Sequence, residues 1–108
     1  MASSNRTGLG VKKKRSQQVL KTAIEILTEY QAWALEEDED PEMSVRDLYS
    51  YTYDEWRNHG RQVSWTKKEF SSLLSFHVRQ PLEGFSLIEK GRKLNKYGGR
   101  EIHYRVME

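Results

Sequence analysis

Apolar residues recur at helical spacing in three stretches of this chain, and the last stretch before the C-terminus alternates instead. Between Ser16 and Leu35 one stripe holds Leu20, Ala23, Ile24, Leu27, Gln31 and Ala34, widened by Val19, Ile26, Tyr30 and Trp33. Ser16 is the candidate N-cap, and Pro41 in the following E-E-D-E-D-P-E run disfavours helix at the residue before it. A second helix opens after Ser44, with Asp47 placed to complete a capping box. It buries Val45, Leu48, Tyr49, Thr52 and Trp56 and stops at Gly60, which supplies a left-handed C-terminal residue. Thr66 and Glu69 form a second capping box, and the helix they start turns Phe70, Leu73, Leu74 and His77 inward. Q-P-L-E-G at 80–84 breaks structure, and Phe85–Leu94 begins a hairpin turned at N-K-Y-G-G by Gly98 and Gly99. The return strand sets Arg100, Ile102, Tyr104 and Val106 against Glu101, His103 and Arg105 on its other face.

The arc on the first helix is wider than one packing partner covers, so other elements flank it, or a second copy shares it in a homodimer. Before it, M-A-S-S-N-R-T-G-L-G-V-K-K-K-R lacks periodicity and reads as a disordered basic arm over 1–15, followed by one domain over 16–108. A chain of 108 residues with 36% hydrophobic content builds a small core, enlarged by three Trp, six Tyr and three Phe. The absence of cysteine excludes a disulfide scaffold and thiolate zinc sites and fits a reducing compartment. No apolar run reaches the ~20 residues of a membrane span. A cytoplasmic protein is expected, nucleoid-associated in a bacterium and nuclear in a eukaryote.

The net charge of +2 conceals strong segregation. Residues 22–56 hold eleven acidic side chains against Arg46 alone, whereas residues 57–108 hold eleven basic and five acidic ones. Opposed blocks of this kind suit a polyanion on one side and solvent or a basic protein partner on the other.

Chemistry of other kinds finds little support. His59, His77 and His103 lack metal-ligand spacing, and His77 occupies a core-facing position. The acidic run lacks the alternation and glycine of a calcium loop. Y-S-Y-T-Y at 49–53 has acids around it in place of the Arg and His cluster a nucleophilic tyrosine needs. No phosphate-cradling glycine loop and no Ser-His-carboxylate set is present, so a non-enzymatic protein without a cofactor is expected.

The third helix carries the sharper signal. Its outer positions hold Lys68, Ser71, Ser72, Ser75 and Arg79, and no acid occurs between Glu69 and Glu83. A face that is only solvated normally mixes signs to gain i,i+4 pairs. Lys67 and Lys68 at the helix start meet phosphate, the serines reach base edges, and Arg79 holds the far backbone. In the hairpin, Lys93, Lys96, Tyr97 and Arg100 form a wing. Arg61 before the helix is a further phosphate candidate, and Lys12, Lys13, Lys14 and Arg15 in the arm read as phosphate contacts, as a nuclear address in a eukaryote, or as a solvated tail.

Helix followed by basic hairpin is the reading half of a winged helix-turn-helix. The fold class is α+β, mainly α, with three helices and a C-terminal β-hairpin wing. V-R-D-L-Y-x-x-Y-x-x-E-W-x-x-x-G, T-K-K-E-F-x-x-L-L and G-R-K-L-N-K-Y-G-G-R-E-I-H-Y-R-V, over residues 45–106, resemble the C-terminal winged-helix domain of phage and plasmid primase–helicases. The resemblance implies contact with double-stranded DNA through Lys67, Lys68, Ser71, Ser72, Lys96 and Arg100, in replication or transcription of a mobile element. The chain departs from that family in lacking any helicase or polymerase segment, which leaves a stand-alone small viral or plasmid protein, the reading Met1 favours, or an excised domain. The rival reading is a protein–protein module on the same scaffold, such as a phage inhibitor of a host protein; RNA binding through arm and wing is a third.

Overall fold

The computed structural model describes the backbone of residues 2–94 and 97–107 and the side chains of residues 15–94 and 97–107. The protein is a mixed α+β chain, mainly helical. Its order is α1 (Ala2–Glu36), β1 (Met43–Ser44), α2 (Val45–Asn58), α3 (Lys67–Arg79), β2 (Ile88–Leu94) and β3 (Arg100–Val106). The strands form an antiparallel sheet in the order β1-β3-β2.

α1 begins at Ala2, ahead of the start near Ser16 that the capping pattern predicts, so residues 2–15 have helical backbone. Nothing in it forbids this: no proline occurs there, and Gly8 and Gly10 each cost only about 1 kcal/mol relative to alanine. The far end falls within one residue of Leu35, where the helical periodicity stops, but Pro41 is not its cause. The helix stops at Glu36, well before Pro41, because Asp38 turns left-handed at φ 60°. Glu39 N–H then reaches back to the Ala34 carbonyl at 2.7 Å, closing the helix as a glycine would.

The other two helices start where their caps predict. Ser44 Oγ accepts from Asp47 N–H at 3.1 Å, and Gly60 follows α2 at φ 73°. Thr66 and Glu69 make a complete capping box on α3. β1 was not foreseen, since two residues are too few to show alternation. It pairs Met43 with Tyr104 and Ser44 with His103, turning the hairpin into a three-stranded sheet.

The core lies between α1 and the other elements. Leu20, Ala23, Ile24 and Leu27 meet Met43, Leu48, Trp56, Phe70, Leu74, Ile88 and Tyr104, all buried. Trp65 stacks on Phe70 at 5.6 Å and meets Tyr49 edge-on at 5.4 Å, closing the α2–α3 side with rings. His77, only 1% exposed, accepts Leu82 N–H at Nδ1 (3.1 Å) and donates from Nε2 to the Ser86 carbonyl (2.8 Å). It therefore ties the end of α3 to the 80–87 connection, the structural role its position predicts.

Candidate nucleic-acid interface

α3 presents its outer face as its sequence spacing requires. With Phe70, Leu74 and His77 inside, Lys67, Lys68, Ser72 and Arg79 are exposed. Glu69, the only acid in the first turn, is turned back onto the cap: its Oε1 accepts Thr66 N–H at 3.2 Å. Lys67 and Lys68 are thus left at the positive end of the helix dipole without a carboxylate among the described residues. Cations are unfavourable there unless an anion joins them.

The serines divide. Ser72 is exposed, but Ser71 and Ser75 are half-buried on the flank of α3 that faces the sheet. Ser75 Oγ lies 3.2 Å from the Tyr104 hydroxyl and accepts from Lys90 Nζ at 3.2 Å. The outward placement predicted for all three therefore holds fully only for Ser72, because the sheet packs against the Ser71–Ser75 flank. Burial pushes the Tyr104 phenol above its ordinary value, while its hydrogen bond to Ser75 acts the other way.

The hairpin sorts its charges by face. Its register pairs Ile88 with Val106, Lys90 with Tyr104, Arg92 with Ile102 and Leu94 with Arg100. Cross-strand partners share a face, and this one is fixed toward α3 by buried Ile88 and Tyr104 and by the Lys90–Ser75 bond. Lys90, Arg92 and Arg100 are exposed on it, and none makes an ion pair among the described residues.

The opposite face holds the carboxylates. Arg105 meets Glu89 at 2.7 Å, and Arg46 meets Glu101 at 3.2 Å. The loop between α1 and β1 lies against this side. Lys93 Nζ pairs with Asp40 and with Glu42, the latter at 3.1 Å, and a Cβ at Gly91 would sit 3.9 Å from the Glu42 carboxylate. The bond to Lys93 holds the Asp40 carboxyl below its ordinary value and raises the Lys93 ammonium in return.

This geometry gives the predicted residues unequal positions. Lys67, Lys68, Ser72 and Arg79 are exposed along α3 and Arg100 is exposed on the hairpin face of Tyr104, whereas Lys93 is held behind the hairpin by two acids. Tyr97 stands 83% exposed at the hairpin tip, beside Gly98 at φ 83°, and Lys96 lies outside the described residues. Arg61 is elsewhere. Its guanidinium lies 4.6 Å over the Trp56 ring, at a cleft shared with Lys21, Glu25 and Glu55. Arg15 donates to Ser64 Oγ at 2.8 Å, and the side chains of Lys12, Lys13 and Lys14 are outside the described set. Lys90 and Arg92, which the sequence counts among the basic residues of the hairpin but not among its DNA contacts, join the face. Strand parity was the available signal, since both share the parity of Ile88 and Lys93 does not.

Among the described residues, no group of three His, Asp or Glu side chains could hold a metal ion. No helix among them is long and apolar enough to cross a membrane. No family model, curated protein or solved structure matches the chain.

Proposed function

We propose that this protein is a non-enzymatic winged-helix protein that binds double-stranded DNA. α3 is its recognition helix and the β2–β3 hairpin its wing. The element order and the β1-β3-β2 sheet are compatible with that layout. The observation that carries the reading is the sorting of charge across the hairpin. Lys90, Arg92 and Arg100 are exposed on the side of α3 with no ion pair among the described residues, while Glu89 and Glu101, with Asp40 and Glu42, lie behind. Proteins that hold a phosphate backbone need such a surface, and a merely solvated one gains from mixed signs.

Lys67, Lys68 and Arg79 with the three hairpin cations hold the backbone, and Ser72 is the hydroxyl best placed for base edges. A single serine discriminates bases weakly, so affinity is mainly electrostatic with modest sequence preference. The resemblance to primase–helicase C-terminal domains supports a role in replication or transcription of a phage or plasmid. A mobility-shift titration tests the reading with purified chain and the Lys68→Glu, Arg79→Glu variant. Duplex binding that weakens steeply with salt and is lost in that variant supports it; binding indifferent to both sinks it.

A further inference from the structure

α3 carries one large apolar side chain on the face it turns to solvent. Phe76 is 46% exposed, whereas Leu73 and Val78, on either side of it in sequence, pack against the core. Its ring meets no other ring among the described residues. The fold therefore gains little from an aromatic residue at this position.

Helical phase sets Phe76 among the residues already placed on the outer face. Lys68, Ser72 and Phe76 follow at i, i+4 and i+8, which makes one ridge along α3, and Arg79 stands one turn further on. All four are exposed. The flank toward the sheet is a different one, since it is there that Ser75 meets Tyr104. Glu69, two turns before Phe76, is engaged at the cap, where its Oε1 accepts Thr66 N–H at 3.2 Å. An apolar ring thus lies between a hydroxyl and a guanidinium, with cations toward both ends of the helix. Lys68 and Arg79 are about 16 Å apart along the axis, so their long side chains reach both walls of a groove ~12 Å wide.

A ligand that matches this row is anionic at its margins and apolar at one point within. The major groove of DNA answers that description where thymine is present. Phosphates line it, and the C5 methyl of thymine is the apolar group on its floor, while the other bases present donors and acceptors there. We propose that Phe76 reads this methyl, so that α3 selects thymine-bearing duplex over duplex that lacks the methyl. The inference rests on the DNA-binding reading of α3 and adds to it the residue that discriminates. Lys68 and Arg79 fix the register on the backbone, Ser72 reaches a polar base edge, and Phe76 covers the methyl one turn away.

The test compares, by fluorescence anisotropy, a labelled mixed-sequence duplex with the same duplex carrying uracil at every thymine. The exchange removes the methyl and alters neither charge nor pairing. The parent chain should bind the uracil duplex about fourfold more weakly, the effect of one methyl group left in water. Phe76→Ala should bind the thymine duplex about fourfold more weakly than the parent and no longer distinguish the two, with circular dichroism and Tm retained. Phe76→Leu should keep most of the discrimination, because an aliphatic side chain still covers the methyl. Salt slopes should agree for both duplexes and all three chains, since no phosphate contact changes. Equal affinity of the parent for the two duplexes, or discrimination that survives Phe76→Ala, overturns the proposal and leaves DNA binding standing. A parent that binds neither duplex overturns both readings. Self-association in sedimentation that Phe76→Ala abolishes would make the ring a protein contact and overturn the proposal as well.

Discussion

Replacing Lys90 and Arg92 together by glutamine removes two charges from the hairpin face turned toward α3 while leaving the opposite face intact. Six described cations make up the candidate surface: Lys67, Lys68, Arg79, Lys90, Arg92 and Arg100. Each phosphate they neutralise adds about −0.9 to the slope of log K against log salt, so six give about −5 and four about −3.6. Between roughly 50 and 200 mM salt the parent chain should lose about three decades of affinity and the variant about two. Fluorescence anisotropy of a labelled duplex at several salt concentrations reads both slopes directly. Lys93→Gln is the matched control. It removes a charge of the same sign from the same strand, but one held behind the hairpin by Asp40 and Glu42, so its slope should stay with the parent. An unchanged slope for Lys90→Gln, Arg92→Gln, or an equal fall for Lys93→Gln, would refute the assignment of faces.

Stability measurements check the surrounding structure. Lys93→Gln should cost about 0.5–1 kcal/mol at neutral pH, a solvent-screened pair of this kind contributing no more. Because Asp40 is held below its ordinary 3.8, that contribution is complete above this value and fades as pH falls below it, so urea midpoints of parent and variant should converge in acid. Gly60→Ala introduces a side chain with open space around it but at φ 73°, so its cost of about 1 kcal/mol in denaturant melts is purely conformational. His77→Ala leaves Leu82 N–H and the Ser86 carbonyl without their partner and opens a cavity, and should cost about 3 kcal/mol by the same measurement.

Where a single local interaction decides the geometry, the sequence was readable. Thr66 and Glu69 make the capping box their spacing predicts, Ser44 caps α2, and Gly60 stops it at positive φ. His77 was legible as structural because its helical phase matches Phe70 and Leu74, and the chain supplies backbone partners to both ring nitrogens. For the end of α1 the place was readable and the cause was not. Pro41 is the visible breaker, yet Asp38 reaches the left-handed region first, and nothing marks an aspartate for that role except its tolerance of it.

The assignment of hairpin cations needed more than local pattern. Lys90, Arg92, Lys93 and Arg100 look alike in sequence, and charge density alone treats them as one patch. Alternation within β2 separates Lys93 from Lys90 and Arg92, but it cannot say which set faces α3. That follows from the antiparallel register, which places Lys90 opposite Tyr104, and from the burial of Tyr104, which commits its whole face to the core side. The acidic run then acquires a meaning its composition could not supply. Asp40 and Glu42 lead into β1, only two residues long, which pairs with β3, and their carboxylates meet Lys93 of β2 across the back of the sheet. A one-residue slip of the hairpin would bring Lys93 to the front and Lys90 and Arg92 to the acids, inverting the electrostatics of the surface at unchanged composition. The polarity of this protein is therefore a property of register, and it is best tested by variants that differ in strand parity at constant charge.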